Sequence, residues 1–170
     1  AAASDVYKRQ TLVGFSDSDW ATCPKTRRSV SCGLVFRGRH YLDGWCSGQQ
    51  LVALSSGEAE LYGTVKTSTE TLGAAAALKD IGENHGGRIW ADASAALGII
   101  KKKGLGRTKH IDTGKLWIQQ VAAERRLEYS KVLGAENPAD LMTKYPSAEV
   151  IGRHCRTLHA TFPDGRAETA

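Results

Sequence analysis

No run of apolar residues in this 170-residue chain approaches the roughly 20 that a bilayer-spanning helix requires, so no membrane partner is expected. Cysteine is sparse: Cys23, Cys32, Cys46 and Cys155 form no C-x-x-C pair. Nothing at the N-terminus reads as a signal peptide, so reduced thiols in an intracellular protein are expected rather than a disulfide framework. His154, Cys155 and His159 lack a second ligand pair, which argues against structural zinc. A Gly-rich phosphate loop, a Ser/His/Asp order and a setting for a nucleophilic cysteine are all missing, as are internal repeats and low-complexity tracts.

What is present is ordinary for a single soluble domain, with 41% hydrophobic and 24% charged residues. The 23 Lys+Arg against 18 Asp+Glu give +5, a mild basic excess that suits a polyanionic partner. Residues 1–10, "AAASDVYKRQ", join no pattern and are set aside as a disordered leader or scar. Residues 11–145 form the domain, and 146–170 carry little periodicity and are taken as a tail. Alternation predicts strands over about 11–17, 29–37 and 40–46, the last two joined at Gly38-Arg39 as a hairpin. A long helix follows from Ser55 to Gly82, with Leu61, Val65 and Leu72 on one face. "RIWAD" reads as a strand and "ASAALGIIKKKG" as a helix. A further helix starts within "TKHIDTGKLWIQQVAAERR", and "LEYSKVL" is a strand. "NPADLMTK" opens a short helix, with Asn137 as cap and Pro138 at its first position. The order predicts an α/β fold: a mixed five-stranded sheet, three antiparallel strands and then crossover units, flanked by helices.

Four carboxylates fall at strand ends or helix starts: Asp17, Glu60, Asp92 and Asp140. In open α/β sheets such positions gather along one edge, where ligands bind. Three of the acids also have a local use: Asp17 as a turn residue, Asp92 as a helix cap, Asp140 as a partner of the helix dipole. Glu60 is the informative one, because "SSGE" is a capping box in which Ser55 caps and Glu58 reaches back, leaving Glu60 without local work. Crowded carboxylates raise one another's pKa, and hard oxygen ligands select Mg2+ or Mn2+. In "FSDSDWA", Asp17 is assigned to this cluster and Asp19 to the start of the following loop.

The segments "GFSDSDWATCPKTRRSVSCGLVF", "VALSSGEAELYG", "IWADASAALGII", "GRTKHIDTGKLWIQQ" and "KVLGAENPADLMTK" resemble, in order, the ribonuclease H domain of copia-type retrotransposon Pol polyproteins. The resemblance implies the ribonuclease H-like fold and, motif by motif, Asp17, Glu60, Asp92 and Asp140 as catalytic and metal-binding acids for two Mg2+ ions, with Mn2+ as a substitute. It implies endonucleolytic hydrolysis of the RNA strand of an RNA/DNA hybrid, the polymerase portion of a reverse transcriptase as neighbour in the same polyprotein, and a cytoplasmic, particle-associated location. An isolated domain of this kind is expected to be monomeric. The chain departs from the family at Cys32, where glycine is usual, and at Ser47-Gly48, where lysine precedes the glutamine. The alternative reading is an inactive copy of the same fold that binds hybrid without cutting it.

For substrate contact, Lys109 and His110 in the matched "RTKHID" and Arg27 and Arg28 in "KTRRS" are assigned to backbone phosphate. Gln49 and Ser56, beside the start of the long helix, are candidate readers of the 2′-hydroxyls that mark the RNA strand, with Gln49 favoured.

Overall fold

A computed structural model describes residues 11–104, 110–111 and 113–160, and shows the predicted mixed sheet. Strands β1 (Leu12–Ser18), β2 (Val30–Arg37) and β3 (His40–Gly48) form an antiparallel meander. Strands β4 (Gly87–Ala91) and β5 (Leu127–Lys131) then add in parallel, giving the order β3-β2-β1-β4-β5. The first crossover is α1 (Ser56–Asp80); α2 (Ser94–Ile100) and α3 (Trp117–Ala123) make the second. Gly38 takes the left-handed conformation that the two-residue hairpin turn needs, at φ 59°.

Helix α1 begins where its capping residues dictate. The Ser55 hydroxyl accepts the Glu58 N–H at 3.2 Å, and the Glu58 carboxylate takes the Leu54 N–H at 2.8 Å, one residue upstream of the usual capping-box partner. Two different faces of α1 are buried. The predicted one, Leu61 and Val65 with Leu72 at its margin, joins Ile89, Leu97, Ile100, Ile118, Val121 and Leu127 in the core under α2 and α3. The other presents Gly63, Thr64, Thr67, Ser68 and Thr71 to the sheet. Three of these hydroxyls are satisfied within the helix: Thr64 donates to the Glu60 carbonyl at 2.7 Å, Ser68 to that of Thr64 at 2.7 Å and Thr71 to that of Thr67 at 2.8 Å. With small side chains on the helix and Gly14 and Gly33 on the strands, backbone approaches backbone. A Cβ on Gly33 would lie 2.3 Å from Thr67 Oγ1.

Two segments differ from the sequence expectation. "PADLM" forms a 3-10 turn, Pro138–Met142, rather than an α-helix. The tail contains a further helix, α4 (Ala148–Thr157), which packs against that turn. Its buried residue is His154, a polar type that hydropathy does not count toward a core face.

Candidate active site

The carboxyl ends of the parallel strands β1 and β4 lie at one edge of the sheet, and the acids collect there. Asp17 is within β1, not in a turn, and fully buried. Asp92 immediately follows β4; the residue at the α2 cap is Ala93, without any side-chain cap, so Asp92 is not spent on capping. Asp140 is carried by the 3-10 turn, and Asn137 holds that turn in place. Its side chain accepts the Ala139 N–H at 3.2 Å and donates through Nδ2 to the Ser16 carbonyl at 2.9 Å, tying the turn to β1. One carboxylate oxygen from each of Asp17, Asp92 and Asp140 lies within 4.8 Å of the others.

Glu60 stands beside this trio rather than in it. Its Oε1 accepts the Ser18 N–H at 3.2 Å, while Oε2 is buried without a hydrogen bond among the described residues. Burial, then the charges of Asp17 and Asp92, push the Glu60 carboxyl up to about 9. Burial and Asp17 also raise Asp92. Asp140 is pushed up to about 6 by burial, against the opposing hydrogen bond from Lys144 and with the charge of Asp17 adding to the rise. An all-oxygen donor set, an orphaned buried carboxylate oxygen and acids that resist ionisation together fit a hard divalent cation.

Lys144 and Thr143 were not singled out from the sequence, yet both touch the acids. The Lys144 ammonium donates to Asp140 Oδ1 at 2.8 Å and Asp17 Oδ1 at 3.2 Å, and the Thr143 hydroxyl donates to Asp17 Oδ2. Burial alone would lower the Lys144 ammonium, but the hydrogen bond and charge of Asp140 together with Asp17 outweigh it and hold it above its ordinary value. The available signal was the spacing of four between Asp140 and Lys144, the interval at which opposite charges meet along a turn of helix.

Asp19 is placed apart from Asp17 and the acidic trio. Asp19 lies past the end of β1, takes the Val30 N–H on Oδ1 at 2.5 Å and accepts the Thr22 hydroxyl, bracing the β1–β2 loop.

The substrate candidates fare unequally. Gln49 is corrected: its amide nitrogen is buried and donates to Ser31 Oγ at 2.7 Å and the Ala59 carbonyl at 2.8 Å, so these donors tie β2 to α1 and are not free to read a sugar. Ser56 is exposed at the first position of α1, and Arg27 and Arg28 are exposed in the loop that leaves the acidic edge. His110 is also exposed and meets Glu58 Oε2 at 3.1 Å, joining Tyr62, whose hydroxyl donates to the same carboxylate. Lys109 lies outside the described residues.

A solved RNase H1, LC11-RNase H1 in complex with an RNA/DNA hybrid, superposes with a TM-score of 0.54 at 10% identity, covering 78% of this chain and 93% of that one. The N-terminal RNase H domain of rv2228c from Mycobacterium tuberculosis gives 0.53 at 13% identity, over 86% and 97% of the two chains. The fold is that of ribonuclease H. In sequence, the chain is 32% identical over 136 residues to the retrovirus-related Pol polyprotein from transposon TNT 1-94 of Nicotiana tabacum, so this ribonuclease H-like domain is related to a retrotransposon Pol polyprotein. The match covers 78% of the chain and about a tenth of the polyprotein. No family model matches.

Proposed function

We propose that this ribonuclease H-like domain is a metal-dependent endonuclease of a copia-type Pol polyprotein, cutting the RNA strand of RNA/DNA hybrids during reverse transcription. The observation that carries the reading is the convergence of Asp17, Asp92 and Asp140 at the sheet edge, with Glu60 buried beside them.

Asp17, Asp92 and Asp140 are the residues that would hold the cations, with Glu60 Oε2 completing the oxygen set. Two Mg2+ ions, or Mn2+, bound there would supply an activated water and stabilise the leaving oxygen of a phosphodiester, giving a 3′-hydroxyl and a 5′-phosphate. The protein's share is preorganisation. The Asn137 bridge to β1 keeps Asp140 against Asp17, and the Ser18 N–H orients Glu60 so that its second oxygen stays free. Arg27, Arg28 and His110 present positive or hydrogen-bonding groups for backbone phosphate, and Ser56 offers a hydroxyl near the acidic edge.

The test is cleavage of an end-labelled RNA/DNA hybrid with and without Mg2+, alongside Asp17→Asn. Metal-dependent cuts in the RNA strand that vanish in the variant are expected. Tight hybrid binding with no cutting in the presence of Mg2+ would overturn the reading.

A further inference from the structure

Two of the four cysteines are brought together by the sheet, and the hydrogen-bond phase of the ladder decides what they can do. Cys32 on β2 and Cys46 on β3 are direct partners in the antiparallel register, so their side chains leave the same face. The adjoining pair Ser29 and Gln49 is a hydrogen-bonded one, since the Gln49 N–H donates to the Ser29 carbonyl at 2.7 Å. Narrow and wide pairs alternate along an antiparallel ladder. Counting from Ser29, Ser31–Ser47 is hydrogen-bonded and Cys32–Cys46 is not; the register shift at Val35/Phe36 lies beyond them. Non-hydrogen-bonded partners have Cα atoms about 4.5 Å apart with side chains close together. That lies within the roughly 4.4–6.8 Å span that a disulfide accepts.

We propose that Cys32 and Cys46 form a reversible cross-strand disulfide that couples thiol oxidation to the carboxylate centre. Both cysteines are reduced in the structure, Cys32 buried and Cys46 exposed. Oxidation therefore starts at Cys46. Its thiolate attacks hydrogen peroxide, breaking the O–O bond to give a sulfenic acid and hydroxide. The Cys32 sulfur then attacks the Cys46 sulfur; the S–S bond forms, the S–O bond breaks, and hydroxide leaves. The protons released by the two thiols convert both hydroxides to water, so one dithiol is oxidised and one peroxide reduced to two waters.

The coupling follows from the neighbours. Asp17 pairs directly with Cys32 across β1 and β2, placing Asp17, Cys32 and Cys46 in one row on one face. The Cys46 sulfur now lies 3.5 Å from the Met142 carbonyl, in the turn that carries Asp140. Closing the bridge draws that sulfur toward Cys32 and away from the turn, so Asp140 loses a support. This second half rests on the metal reading above; the bridge itself does not.

The experiment uses the full chain with Cys23→Ser and Cys155→Ser, leaving only the pair. After mild peroxide treatment the protein should lose the mass of two hydrogens and drop from two free thiols to none. Peptide mapping should link Cys32 to Cys46, and dithiothreitol should restore both thiols. Mn2+ binding, followed by calorimetry, should weaken by about fivefold or more in the oxidised form. Persistent thiols, stepwise oxygen addition or a bridge between two molecules would overturn the disulfide. A mapped bridge with unchanged Mn2+ affinity would overturn the coupling, and reduced protein that binds no Mn2+ would overturn the metal reading while the bridge stood.

Discussion

Replacing Glu60 by glutamine separates stability from chemistry at one atom. In the metal-free protein the folded state keeps Glu60 protonated up to about 9, whereas an unfolded chain releases that proton near 4.5. Between those values the folded state binds more protons than the unfolded one, so stability at this group falls as pH rises and is insensitive to pH below about 4. Each pH unit is worth about 1.4 kcal/mol, which puts roughly 3 kcal/mol at stake at pH 7. Glu60 is 7% exposed, so solvent screens little of this. In Glu60→Gln the amide oxygen can still accept the Ser18 N–H, but a new N–H donor without an assured partner costs about 1–2 kcal/mol. The net expectation is a variant more stable than the parent by about 1–2 kcal/mol at pH 7 in EDTA, a rise in Tm of roughly 2–8 °C, and no gain at pH 4, where only the cost of the amide remains. The same variant should lose hybrid cleavage. Thermal unfolding by circular dichroism from pH 4 to 8.5 measures the difference. Parallel pH profiles for parent and variant would refute the argument that burial beside Asp17 and Asp92 holds the proton on Glu60.

Lys144→Met removes a cation that touches Asp17 and Asp140; because that ammonium is nearly half exposed, the metal-free loss should be about 1–2 kcal/mol by urea unfolding, recovered when Mn2+ is added. Asp17→Asn should abolish cleavage of hybrid, while Asp19→Asn should cost no more than a few-fold, since Asp19 braces a loop; gel assays of the pair that show equal loss would contradict this assignment. Gly33→Ala should destabilise by about 2 kcal/mol or more in chemical denaturation, because the added methyl would meet Thr67 Oγ1 at 2.3 Å and the Trp45 ring nitrogen at 2.4 Å.

Elements whose signals are local were legible in the sequence. The meander followed from alternation and from Gly38, and the start of α1 from Ser55 and Glu58; the observed strand bounds lie within two residues of those expected. The acidic edge followed from topology, since parallel β1 and β4 must end together. What escaped was non-local or polar. The Thr64–Thr71 face of α1 carries no hydropathy, so its burial against the sheet left no periodic trace. Helix α4 does carry an amphipathic pattern, with Val150, Ile151 and Cys155 set against Glu149, Arg153 and Arg156, but over only ten residues and with the polar His154 as its buried residue. Gln49 looked like a substrate reader because a polar residue near a helix start is ambiguous until its donors are traced to Ser31 and Ala59. Lys144 carries only a weak local signal, because a lysine four residues after an aspartate is an ordinary surface pair and its contact with Asp17 exists only once the chain is folded.

Gly63 sits one turn along α1 from Glu60, and a Cβ there would fall 2.6 Å from Ser18 Oγ and 3.2 Å from Ser16 Oγ, the two residues that flank Asp17. The gap between helix and strand is thus a dimension of the candidate site, set by the absence of a side chain. A methyl group at this position would alter no charge and remove no ligand, yet it would push apart the two backbones that carry Asp17 and Glu60. In the proposed nuclease, loss of cleavage can therefore arise at positions that carry no chemistry of their own.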